Sequence, residues 1–214
     1  QKMREECECI VLGGDIFDLR WSQKGGLQPT ITAAEAWLSK LLDQTGKSRL
    51  IYLAGNHDCH PSFSRAMRRL AAENERFSWF EHALRIGDCL FIHGDLLHAE
   101  PTPQGLLEYR KKHHHEDSPH HVWNSVYDLA VQLRLHKAVA RLGNSPKATC
   151  YRLQNSLQQF GQDNDGRPVE RIFFGHTHVT IPGLELGSQT FFNPGAMLKH
   201  TNNSPIAVEL PTDS

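Results

Sequence analysis

Four short motifs follow one another along this sequence of 214 residues: Gly14-Asp15-Ile16-Phe17-Asp18, Gly55-Asn56-His57-Asp58, His93-Gly94-Asp95 and Gly175-His176-Thr177-His178. Together they supply carboxylate, amide and imidazole groups without a thiolate, the oxygen and nitrogen donors that suit Mn, Fe or Zn. Taken alone, Gly-Asp-x-x-Asp is a turn-favouring loop, and His93 at the end of an apolar run is a core histidine. Gly-His-Thr-His is the most specific of the set, with two imidazoles flanking one residue. Each motif follows directly on an apolar run, and the joint pattern reads as a metal site assembled from distant sequence. The chemistry such a set can do is hydrolysis by metal-bound water.

The elements that must position these residues are short strands halted by glycine. Strands are predicted at Cys7 to Leu12, Arg49 to Ala54, Cys89 to His93 and Arg171 to Phe174, each followed by Gly and polar residues. Ligands in layered α/β folds bind beyond the carboxyl ends of strands, where such loops converge. Thr32-x-x-Glu35 has the form of a capping box, so a helix is predicted over Ala33 to Leu42, closed by Gly46. A basic helix is predicted over Ser62 to Asn74, and C-terminal strands at Val179 to Glu185, Thr190 to Phe192 and Ile206 to Leu210.

The segment 103–166 breaks this rhythm. Val122, Val126, Leu129 and Leu133 recur at helical spacing, and Ser145-Pro146 opens a second helix carrying Cys150, Leu153, Leu157 and Phe160. We read it as a helical insertion, either a lid or a structural layer, within one domain spanning 1–214.

Composition narrows the function classes. Basic and acidic residues nearly balance, 23 against 24, which disfavours a polynucleotide substrate. The clusters Arg65, Arg68, Arg69 and Arg110 to Lys112 are the only basic ones, and solvated helix faces explain both. No run approaches the roughly 20 apolar residues of a membrane span, and the charged stretch Gln1 to Cys9 does not resemble a signal peptide. Five cysteines without C-x-x-C spacing read as reduced thiols, and the expected location is cytoplasmic. The abnormal count is the fourteen histidines.

The four motifs resemble those of the calcineurin-like metallophosphoesterase superfamily, D-x-H, GD-x-x-D, GNH(D/E), H and GH-x-H. The long helical segment before GH-x-H and the wording GGDIFDL resemble the UDP-2,3-diacylglucosamine hydrolase branch. The resemblance implies a four-layer α/β/β/α sandwich and two divalent metal ions, with Mn foremost. It implies Asp15 as the bridging carboxylate, Asn56, His93 and His176 on one metal, and His178 on the other. His57 would protonate the leaving oxygen or stabilise charge there, and Asp58 would orient its imidazole. Asp18 and Asp95 would support the ligands or serve as plain structural caps. The substrate class implied is a small phosphorylated compound, nucleotide-linked or lipid-linked: a phosphate mono- or diester, or a nucleotide pyrophosphate.

Two departures accompany the match. No Asp-x-His occurs upstream of Asp15, so we expect either an N-terminal strand and loop lying outside this sequence, or a one-metal or inactive relative acting as a binding scaffold. His57 stands where UDP-2,3-diacylglucosamine hydrolases usually carry Arg.

Overall fold

The computed structural model describes residues 7–19, 25–114, 145–160, 168–195 and 205–209. Its contacts divide the chain into two compact units, Gln1–His82 with Arg110–Pro119, and Ala83–Tyr109 with His120–Ser214. Both are mixed α/β, and the two sheets with their helices give the expected fold class.

In the first unit, β1 (Cys9–Leu12), β2 (Arg49–Leu53) and β3 (Phe77–Phe80) form a parallel sheet in that order. Strand β2 is central, and Leu50 to Leu53 are all buried, the continuous apolar run that a parallel sheet demands. Helices α1 (Leu27–Gln44) and α2 (Pro61–Glu73) are the crossovers. Ile31, Leu38 and Leu42 of α1 and Phe63 and Met67 of α2 close the core with Leu50, Tyr52 and Phe77.

Helix α1 starts earlier than predicted. Gly26 is its N-cap and Pro29 falls in the first turn, where an absent N–H costs nothing. Thr32 therefore lies inside the helix and donates to the Gln28 carbonyl at 3.1 Å instead of capping. Glu35 is engaged by Arg69 of α2.

In the second unit a five-stranded sheet runs in the order β4-β5-β6-β8-β7. Its strands are β4 (Ala83–Ile86), β5 (Cys89–Ile92), β6 (Arg171–Phe173), β7 (Ile181–Leu186) and β8 (Gln189–Asn193). Strands β5, β6 and β8 are parallel neighbours, and β4 and β7 are antiparallel edges. A 3-10 turn (Asp95–His98) follows β5, then α3 (Pro103–Lys111), and α4 (Pro146–Phe160) precedes β6. Ser145 caps α4 as predicted, accepting from the Ala148 amide at 3.2 Å. Cys150, Leu153 and Leu157 of α4 pack on Leu90, Ile172 and Phe191. On alternate positions Phe91, Phe173 and Phe192 stack across the sheet, centroids 4.8 and 4.9 Å apart.

The strand predicted at Ile206 to Leu210 is not formed over 205–209. That segment instead offers the Glu209 carbonyl to Arg171 at 2.9 Å. The predicted helical stretch through Val122, Val126, Leu129 and Leu133 lies outside the described residues. Among the described residues no helix is long and apolar enough to cross a membrane.

Candidate metal centre

Each unit gathers its own share of the predicted ligands at strand carboxyl ends. In the first unit, Asp15 follows β1 and Gly55-Asn56-His57-Asp58 follows β2. The His57 amide donates to Asp15 Oδ1 at 2.8 Å. Gly55 is required by this approach, because a Cβ there would stand 2.1 Å from that same oxygen. Asp58 is fully buried and accepts from the Gly55 amide at 2.6 Å, the Tyr52 hydroxyl at 2.6 Å and the Ile16 amide at 3.0 Å. Burial first, then the charge and hydrogen bond of Asp58, hold the Tyr52 hydroxyl well above its ordinary pKa, so it remains a donor.

The oxygens of Asp58 tie the loops after β1 and β2 together, and the Asp18 carboxylate stands beside the His57 imidazole, with Oδ1 3.4 Å from Nδ1. The Asp18 contact, aided by the charges of Asp15, Asp18 and Asp58, raises the His57 pKa against an opposing effect of burial. Asn56 is 2% exposed, and its Oδ1 is buried with no hydrogen-bond partner.

In the second unit, His93 follows β5 and is 2% exposed, and His176 and His178 follow β6. The Gly175 amide donates to the His93 carbonyl at 2.8 Å, carrying the β5–β6 pairing into the loops. The His93 and His176 rings lie 5.2 Å apart, with a nitrogen of each within 4.8 Å of the other. Gly94, at φ 108°, allows this closeness: a Cβ there would be 3.2 Å from the Gly175 carbonyl oxygen and 3.3 Å from His176 Cβ. Asn193 braces the loop, donating to the Gly175 carbonyl at 2.9 Å and to Thr177 Oγ1 at 3.1 Å. His178 is exposed. Asp95 is buried at the start of the 3-10 turn.

Among the described residues, those other than glycine with positive φ are Asp15 (54°), His176 (63°) and His178 (58°). Left-handed backbone is unfavourable for side-chain-bearing residues and concentrates at functional sites. Here it falls on three of the five predicted ligands. Sequence reasoning missed His98, whose ring lies 5.1 Å from that of His176, and the Tyr52 tie to Asp58. A histidine five residues after His93 is the only signal that pointed to the first, and nothing local pointed to the second.

The calcineurin-like phosphoesterase family model matches residues 2–180, and the chain belongs to that family. Membership brings metal-dependent hydrolysis of phosphate esters as its general chemistry. No curated protein and no solved structure matches the chain.

Proposed function

We propose that this chain is a phosphoesterase whose divalent metal ions are held by Asp15, Asn56, His93, His176 and His178. The observation that carries this reading is the Asn56 side-chain oxygen, buried without a hydrogen-bond partner. Such an acceptor is costly unless something positive meets it. The donor set is hard to borderline and free of thiolate, which suits Mn, with Fe or Zn as alternatives. Asp15, Asn56, His93 and His176 would hold one ion, and Asp15 with His178 a second. When bound, the ions supply an activated water and neutralise charge at the phosphoryl group.

The chain's own residues do the remaining work. The His57 amide holds one oxygen of Asp15, fixing how that carboxylate is set in its loop. Asp18 sets the His57 ring through Nδ1, so that Nε2 presents the proton to the leaving oxygen. Asp58 keeps both loops in register. His57, standing where UDP-2,3-diacylglucosamine hydrolases carry Arg, favours a general phosphate ester or nucleotide pyrophosphate over that lipid precursor. The five cysteines are free thiols, and burial pushes Cys89 and Cys150 up to about 11. Such unreactive thiols fit a reducing cytoplasmic setting.

The test is hydrolysis of bis-p-nitrophenyl phosphate and p-nitrophenyl phosphate with added Mn²⁺. We expect turnover that chelator abolishes and that Asp15→Ala lowers by more than about a hundredfold, about 2.7 kcal/mol. No turnover by the Mn-loaded chain on these esters or on nucleotide diphosphates would turn the reading to a binding scaffold.

A further inference from the structure

A group of imidazoles beside His57 has no part in the proposed ligand set. Helix α3 ends at Lys111, and its last turn is anchored by Arg110, only 3% exposed. The guanidinium donates to the Ala54 carbonyl at 2.9 Å and to the Glu81 carbonyl. Ala54 leads directly into Gly55-Asn56-His57, so this anchor ties the helix end to the loop that carries His57. Burying a guanidinium is unfavourable unless its N–H groups are well satisfied, as by these two carbonyls here, and a helix that needs only to stop requires no such anchor.

Past the anchor, the His113 amide donates to the Arg110 carbonyl at 2.9 Å and the His114 amide to the Lys111 carbonyl at 3.2 Å. These turns bring the His113 ring to 5.8 Å from the His57 ring, tilted 45°, and the His114 ring to 5.6 Å from the His60 ring. His60 Nδ1 accepts from the Ser62 amide at 3.1 Å, so its neutral ring carries the proton on Nε2 and is a donor. Lys111 and Lys112 are exposed on the same turn.

We propose that His113, with His60 and His114, forms a binding site for a second anionic group on the leaving-group side of the substrate, next to the oxygen that His57 protonates. The inference rests on the hydrolase reading above. Hydrogen bonds of about 2.8–3.0 Å from each ring let two imidazoles at this separation reach atoms two or three bonds apart. A carboxylate or phosphoryl group joined to the leaving oxygen, directly or through one carbon, fits that reach. A plain alkyl leaving group, with no second acceptor beyond the leaving oxygen, gives His113 nothing to bind. Neutral imidazole N–H groups suffice as donors, and the two lysines add favourable charge.

The test is calorimetric titration of the Mn-loaded chain with ethylphosphonate, phosphonoacetate and methylenediphosphonate, which differ in the second group. The wild type should bind at least one of the two anionic probes about tenfold or more tighter than ethylphosphonate. The tighter of these two identifies the group as carboxylate or phosphoryl. His113→Gln and His113→Asn should each cut that advantage below about threefold, and chelation of Mn by the probe is common to all forms. The double substitution His60→Gln, His114→Gln gives an independent removal of the patch should position 113 prove intolerant. Equal binding of all three probes by the wild type would overturn the proposal, as would an advantage that survives the substitutions. Retained preference without p-nitrophenyl ester turnover would sink the hydrolase reading and leave the anion site standing.

Discussion

The amide of His57 donates to Oδ1 of Asp15 at 2.8 Å, joining loops 42 residues apart through the residue expected to protonate and the residue expected to bridge. One hydrogen bond thus sets the His57 loop by the position of the Asp15 carboxylate. Gly55 makes room for it, with no space for a methyl group beside Asp15.

Gly55→Ala should therefore damage function and stability together. The added Cβ must displace either Asp15 or the β2 loop, and overpacking of this kind costs about 1–3 kcal/mol. Urea unfolding should register that loss, and kcat/KM on bis-p-nitrophenyl phosphate should fall at least about tenfold, about 1.4 kcal/mol. Wild-type stability with wild-type turnover would contradict the packing argument.

Asn56→Ala should separate stability from metal binding. Removing a buried acceptor that has no partner relieves a penalty of about 1–3 kcal/mol, offset by the small cavity left behind. Without metal, the thermal midpoint should stay level or rise, while added Mn²⁺ should stabilise the variant far less than the wild type. A metal-free loss typical of a core deletion, with the Mn²⁺ response intact, would remove Asn56 from the ligand set.

Asp58 and Asp18 should behave differently, because one carboxylate ties loops and the other faces the imidazole. Asp58→Asn should lower stability by roughly 2 kcal/mol or more, since buried hydrogen bonds to a charged group are each worth about 1.5–3 kcal/mol. Tyr52→Phe should reproduce part of that loss. Asp18→Asn should leave stability within about 0.5 kcal/mol at its exposed position and lower turnover. Denaturation curves beside steady-state rates for the three variants decide the matter, and the reverse assignment would show in reversed columns.

Both loops were legible in the sequence because their residues are rare types after short apolar runs, and glycine stops each run. The partner of His57 was not. Adjacency made Asp58 the natural choice, but the tight turn aims its carboxylate inward at Tyr52 and Gly55, and Asp18 reaches the ring from another loop. Strands β3 and β4 went unforeseen because Phe77–Phe80 and Ala83–Ile86 are brief and interrupted by Glu81 and His82. The start of α1 was misplaced because Thr32 and Glu35 imitate a cap, while Gly26 and Pro29 set the true one. The Arg110 anchor joins residues 56 apart, a distance at which no local pattern speaks.

The Asp88–Arg171 pair should give the second unit a pH-dependent contribution. Two hydrogen bonds, at 2.6 and 2.7 Å, from Arg171 hold the Asp88 carboxyl below its ordinary 3.8, against a smaller opposing effect of burial. A carboxylate lowered on folding stabilises above its unfolded pKa and loses that contribution as pH falls through the folded value. The pair is partly exposed, so solvent screening limits it to about 1 kcal/mol. Asp88→Asn should be less stable than wild type at pH 6–7, with the difference closing as pH falls below the carboxyl's ordinary 3.8 and through its lowered folded value. A gap that is constant with pH would mean that charge plays no part.

The most direct test of the account is metal content per chain after chelator treatment and reconstitution with Mn²⁺, for the wild type and for Asp15→Ala and His176→Ala. At least one tightly held ion is expected in the wild type, with its loss or marked weakening in both variants and folding retained by circular dichroism. Equal metal content in all three, or none in the wild type, would contradict the claim that these residues form a metal centre.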